Sequence, residues 1–202
     1  MKRYGLKLGE KAVRIAREVL DTYISTGRVP EIKDYPEEFD EKAGAFVTLK
    51  VWPSMDLRGC IGYPEPIFPL IKAIIDNAIN ASTEDPRFPP VRPSELDHIV
   101  VEVSLLTKPE LVKVSDQKEL PKKIKVGRDG LIVESGGFRG LLLPQVPVEE
   151  GWDEVTFLEH TCWKAGLPMD CWLREGTRFY AFQAEVYAEE RPRGRVIEVP
   201  LE

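Results

Sequence analysis

A cation, two glycines and a thiol fall within seven residues at Asp56-Leu57-Arg58-Gly59-Cys60-Ile61-Gly62, the densest set of unlike functional groups in the chain. A thiol attacks as its thiolate, which a neighbouring guanidinium stabilises, and glycines let backbone N–H groups approach a ligand. Residues 58 and 60 of a strand point to one face, so Arg58 and Cys60 are expected to share a pocket, with Cys60 the candidate catalytic residue. The competing reading makes Cys60 a small core filler beside glycines needed for close packing. Asp85-Pro86-Arg87-Phe88-Pro89 is a second candidate, a rigid loop whose Asp85 and Arg87 would hold an anionic substrate or a partner. Its bland alternative is a self-satisfied loop in which Asp85 pairs with Arg87 and Phe88 plugs the core. His160, Cys162 and Cys171 offer atoms that zinc accepts, but a fourth ligand is lacking and Cys162 falls on an apolar helical stripe. No metal site is expected, and His160 stays a binding candidate. The sequence contains no CxxC pair, Walker loop, dinucleotide fingerprint or Gly-x-Ser-x-Gly elbow, so no cofactor is expected.

With 202 residues the chain fits one fairly large domain or two tightly joined halves. A formal charge of −6 argues against a protein that grips bare nucleic acid over a large face. One stretch, Lys108 to Arg128, is locally basic and is the best candidate for a phosphate-attracting or partner-docking edge. Three cysteines cannot all pair within one chain, the N-terminal run has no apolar signal core, and no stretch approaches a membrane span. The expectation is a cytoplasmic protein with reduced thiols and no membrane contact; oligomeric state is left open. A high charged fraction, many prolines and few amides (Asn77, Asn80, Gln117, Gln145, Gln183) fit a thermophile.

Apolar residues Val13, Ala16, Leu20, Tyr23 and Ile24 recur at helical spacing, predicting a surface helix over about 8–25 that Gly27 closes. The acidic segment Glu31 to Glu41 reads as a solvated loop pinned by Tyr35 and Phe39. Strict alternation predicts a strand over Ala45 to Trp52, with Leu57 to Tyr63 returning as its hairpin partner. Pro66 suits the first turn of a helix burying Ile67, Leu70, Ile71, Ile74, Ile75 and Ala78. Ser82 to Pro93 reads as an ordered loop and Ile99 to Leu106 as a strand. Turn signals at Arg128-Asp129-Gly130 and Ser135-Gly136-Gly137 separate strands at 124–126, 131–134 and 138–146. A helix follows through Trp152, Val155, Leu158, Cys162 and Ala165 to Gly166, then a strand over Arg178 to Ala188. The tail beyond Glu189 is expected to lie along the surface.

Two hairpins echo each other. Leu57-Arg58-Gly59-Cys60-Ile61, with a proline at 64 and then a helix, matches Phe138-Arg139-Gly140-Leu141-Leu142, with a proline at 144 and then a helix. The order hairpin, helix, strand recurs as well, which points to an internal duplication with halves at about 45–106 and 124–188 inside a single domain of residues 1–202. The fold class that follows is α+β, two related halves sharing one curved, barrel-like and mostly antiparallel sheet with helices outside.

The motifs Asp56 to Gly62, Asp85-Pro86-Arg87-Phe88-Pro89 and Leu142-Leu143-Pro144-Gln145-Val146 occur in the order seen in the AMMECR-type domain family, which the chain resembles from about residue 45 to 166. The resemblance implies two related β-rich halves around a barrel-like sheet. It also implies company: bacterial and archaeal relatives often accompany a Memo-type protein and a radical-SAM enzyme, as though all three serve one modification pathway. The function expected on that footing is a binding or accessory module of macromolecule modification or regulation, using a cleft near the 56–62 strand. The alternative is an enzyme in which Arg58 and Arg87 hold an anionic substrate and Cys60 acts as nucleophile or ligand.

Overall fold

A computed structural model of the chain describes residues 3–200. Two compact units divide it: one of residues up to 106 together with 185–200, the other of residues 107–184. Each shows the expected α+β class, with antiparallel strands and helices packed on one sheet face.

In the first unit, α1 (Leu6–Thr26) buries Ala12, Val13, Ala16, Val19 and Leu20, and Gly27 ends it in a left-handed conformation. β1 (Ala45–Val51) and β2 (Asp56–Tyr63) form the first hairpin, and β3 (Ile99–Leu106) pairs with the other side of β1. Between them α2 (Leu70–Thr83) starts later than Pro66 suggested. Pro69 is the cause, since a proline disfavours helical geometry in the residue before it, so the helix begins only beyond it. The acidic segment is not all loop: Glu37–Asp40 makes one 3-10 turn and buries Phe39 completely. β7 (Arg178–Glu189) is the one strand that belongs to both units, with residues 185–189 in this one. β8 (Val196–Val199) pairs with β7, which corrects the expectation of a surface tail. A turn at Arg191–Gly194 reverses the chain, and Val196 enters the core; the cluster of arginine, proline and glycine before it had hidden a four-residue strand.

Two buried carboxylates of β7 hold α1. Glu185 accepts the backbone N–H groups of Tyr4 and Gly5, each at 3.1 Å, and the Tyr187 hydroxyl at 2.5 Å. Glu189 accepts Arg17 Nε at 3.0 Å and Nη2 at 2.6 Å. The core of this unit lies between the two helices and the sheet, with Val47, Leu49, Ile74, Val101, Val103 and Tyr187 fully buried.

The second unit begins with β4 (Glu110–Leu111) and the short helix α3 (Leu120–Lys123). Residues 124–126 are not a strand: the Asp129 carboxylate accepts the Lys125 N–H and closes a tight turn there. β5 (Asp129–Ser135) and β6 (Phe138–Leu142) make the second hairpin, followed by α4 (Gln145–Glu149) and α5 (Glu154–Lys164). Asp153 caps α5 by accepting the Thr156 N–H at 2.8 Å. The expected strand over 138–146 therefore ends at Leu142, and its last two residues, Gln145 and Val146, open α4 instead. β5 and β4 pair with residues 178–184 of β7.

Cys162 and Cys171 are joined in a disulfide, their Cα atoms 5.8 Å apart and both side chains buried. This corrects the expectation of reduced thiols throughout. An odd cysteine count rules out complete pairing and nothing more, and α5 with the 3-10 segment Met169–Leu173 brings these two within bridging range. Both sulfurs are thereby removed from any ligand set, and Cys60 is the free cysteine.

Candidate functional site

Alternation along β1 sends Ala45, Val47 and Leu49 into the core and Phe46, Thr48 and Lys50 to the opposite face. Register then places Cys60 of β2 and Glu102 of β3 on either side of Thr48, so a thiol, a hydroxyl and a carboxylate stand in one row. The Thr48 hydroxyl donates to Cys60 Sγ at 3.2 Å, and Lys50 Nζ donates to Glu102 at 2.7 Å. Cys60 is half-buried. Burial pushes its thiol above the ordinary value, against the smaller downward pulls of the Thr48 hydrogen bond and the Arg87 charge.

Arg58 does not turn to that thiol. The β1–β2 register slips between Leu49 and Lys50: Leu49 pairs with Gly59 and Lys50 with Leu57, which leaves Arg58 without a partner on β1. Such a bulge re-aims the side chain it carries. The guanidinium meets Glu95 with Nε at 2.8 Å and Nη2 at 3.2 Å, and only 11% of the Arg58 side chain is exposed. Glu95 also accepts the Arg92 N–H at 2.7 Å at the head of the 3-10 segment Pro93–His98. The Arg58 hydrogen bonds hold the Glu95 carboxyl below its usual range.

The loop after α2 closes over the free edge of β2. Asp85 accepts the Cys60 backbone N–H at 2.9 Å, the Arg87 N–H at 3.0 Å, and a fork from Arg87 Nε and Nη2 at 3.0 and 2.8 Å. Arg87 Nη2 also reaches the Cys60 carbonyl at 3.5 Å. A side-chain pair thus takes the place of a neighbouring strand at Cys60, receiving its N–H and donating to its C=O. Hydrogen bonds from Arg87, ahead of those from the two backbone N–H groups, hold the Asp85 carboxyl far below the carboxylate range. Asp85 is buried while 55% of the Arg87 side chain stays open, and Arg87 Nη1 makes no hydrogen bond to a described residue. Phe88 lies between the two cations, its ring centre 5.9 Å from Arg58 and 5.6 Å from Arg87.

Arg58, Cys60, Asp85 and Arg87 therefore gather in the first unit, around β2. His160 belongs to the second, on α5, where its ring stacks on Trp152 at 4.0 Å with Trp163 edge-on at 6.4 Å. Thr48, Glu95 and Glu102 were missed as members of the site. Alternation and register would have found Thr48 and Glu102; nothing local marks Glu95, which arrives through the 3-10 segment. The cations expected to form a basic edge are partly committed, since Arg128 lies against the Asp129 carboxylate at 2.6 Å.

A model of the AMMECR1 family matches residues 13–187. Protein MJ0810 of Methanocaldococcus jannaschii is 57% identical over 201 residues, covering the whole of both chains. Protein PF1979 of Pyrococcus furiosus is 59% identical over 197 residues, 96% of this chain and 93% of that one. Among solved structures, the crystal structure of uncharacterized protein PH0010 from Pyrococcus horikoshii superposes with a TM-score of 0.79 at 56% identity, covering 96% of this chain and 98% of that one. These relatives come from thermophilic archaea, in keeping with the composition, and in hyperthermophilic archaea disulfides do persist inside cells. The motifs around Cys60 and Arg87, the α+β fold and a family match over most of the sequence agree: this chain belongs to the AMMECR1 family.

Proposed function

We propose that the chain is a binding or accessory module of a macromolecule-modification or regulatory pathway, acting in the cytoplasm beside Memo-type and radical-SAM proteins. Its recognition site is the edge of β2 with the loop Asp85 to Phe88. The observation that carries this reading is Arg87: a buried carboxylate fixes its guanidinium while half the side chain faces solvent. An arginine held in place loses little freedom on meeting an anionic group, which is what a recognition residue needs. Arg58 is committed to Glu95 and so does not serve as the cation beside Cys60, and burial disfavours the Cys60 thiolate; both favour the binding reading.

The test is calorimetric titration of the chain with the Memo-type protein of the same organism. Arg87→Lys keeps the charge and loses the fork, and should weaken binding about tenfold, about 1.4 kcal/mol. Unchanged affinity would remove Arg87 from the recognition site. The enzymatic reading draws on the half-exposed thiol in one row with Thr48 and Glu102. Alkylation by iodoacetamide separates the two. A thiol raised by burial reacts slowly at neutral pH, with a rate that climbs through a midpoint above the ordinary value of about 8.5. Reaction at pH 7 faster than that of glutathione would favour the enzyme.

A further inference from the structure

We infer that the segment Lys118 to Lys125 of the second unit is a docking surface for the phosphate backbone of a nucleic-acid duplex, gripped without reading its sequence. Two apolar anchors hold the segment still. Gln117–Glu119 forms a 3-10 turn that runs straight into α3, and Leu120 and Ile124 sink into the core of this unit. With those two positions turned inward, helical spacing sends Lys118, Lys122 and Lys123 outward, and all three are exposed. Lys125 follows at once, exposed in the tight turn that Asp129 closes.

None of these four ammonium groups is paired. Lys118, Lys122, Lys123 and Lys125 make no ion pair among the described residues, whereas Arg128, Arg174 and Arg178 of the same unit each lie against a carboxylate. The carboxylates beside the lysines are committed to backbone instead. Asp116 accepts the Lys118 N–H at 2.9 Å, Asp129 the Lys125 N–H at 2.9 Å and Glu154 the Val126 N–H at 3.2 Å. Within the segment Glu119 is the one carboxylate, and it pairs with no lysine among the described residues.

Residue type selects the partner. A carboxylate is met best by the planar fork of an arginine, and the segment has none. Lysines are point charges on flexible stems, each able to turn three donors toward whichever phosphate oxygen lies nearest. The segment also has no aromatic side chain on which a base could stack, so its contact is with the backbone and suits a duplex better than a single strand. A formal charge of −6 confines that contact to this edge. The surface goes beyond the recognition site at Arg87, which belongs to the first unit, and its test does not involve that residue.

The probe is a fluorescein-labelled duplex of arbitrary sequence, titrated with the full chain and followed by anisotropy across a salt series. With four phosphates contacted, log K should fall against log salt with a slope of about −3.6, so that affinity drops about a hundredfold between about 50 and 200 mM salt. Each of Lys118→Gln, Lys122→Gln, Lys123→Gln and Lys125→Gln should flatten that slope by about one, alike for duplexes of different sequence. Glu119→Gln removes the opposing charge and should tighten binding about threefold. Lys7 and Lys42 are exposed lysines of the first unit that likewise make no ion pair among the described residues, and Lys7→Gln with Lys42→Gln should leave the slope unchanged. Every substituted position is exposed, and an unchanged melting temperature checks that each variant is folded. No saturable binding at about 50 mM salt, an equal loss of slope from Lys7→Gln with Lys42→Gln, or displacement of the duplex by polyglutamate of equal total charge would overturn the proposal, the last because the occupant would then be an acidic protein.

Discussion

The hairpins β1–β2 and β5–β6 carry the same Arg-Gly pair in different surroundings. In both, the glycine is pressed against the end of a later helix, α2 for Gly59 and α5 for Gly140. A Cβ on Gly59 would stand 2.0 Å from the Ala81 carbonyl oxygen, and one on Gly140 would stand 2.5 Å from the Ala165 nitrogen. The arginines diverge: Arg58 is sunk into a fork with Glu95, whereas Arg139 is exposed beside Glu134. What the chain brings in after each helix differs most. After α2 it is Asp85 and Arg87, which seal the strand edge; after α5 it is the segment Met169–Leu173, stapled back by the disulfide. Shared residues therefore serve packing, and distinctive chemistry sits in the loops that follow the helices.

The strongest way to break this comparison is at the glycines. Gly59→Ala and Gly140→Ala must each displace helix backbone, and each should cost about 3 kcal/mol in chemical denaturation, with Gly59→Ala the worse. If either is neutral, the close approach is not what the glycine serves. The staple comes next: its cysteines are nine positions apart, and Cys171→Ser should cost about 2.5 kcal/mol, seen as a lower melting temperature that reductant does not lower further. Arginine gives the smallest and most telling contrast. Arg58→Gln should cost about 1.5 kcal/mol because it leaves Glu95 without its fork, while Arg139→Gln should cost under about 0.5 kcal/mol, as exposed pairs do. Equal costs would erase the distinction between the two halves.

How much of this was legible in the sequence depends on the range of the interactions involved. Period-two alternation located β1 and β3 to within a residue, and helical spacing located α1, because both patterns record which face is buried. The Asp85–Arg87 pairing was foreseen as one of two readings, since residues two apart in a proline-bounded loop meet locally. Arg58 was harder. Alternation placed it beside Cys60, and the bulge between Leu49 and Lys50, which no residue type announces, turned it to Glu95 instead. The disulfide was missed for a similar reason: cysteine count limits pairing, and only the path from α5 into the 3-10 segment brings the sulfurs together.

The two carboxylates of β7 that hold α1 have a consequence for how this unit opens. Ordinarily a terminal helix frays turn by turn, each step exposing little. Here the residues that lead into the helix, Tyr4 and Gly5, are gripped by Glu185 and its middle by Glu189, both rising from one strand and both sealed from solvent. Releasing α1 would strand two negative charges in an apolar interior, so helix and strand share one opening event rather than two. The N-terminal helix, which reads in sequence as an appendage, is thermodynamically part of the sheet.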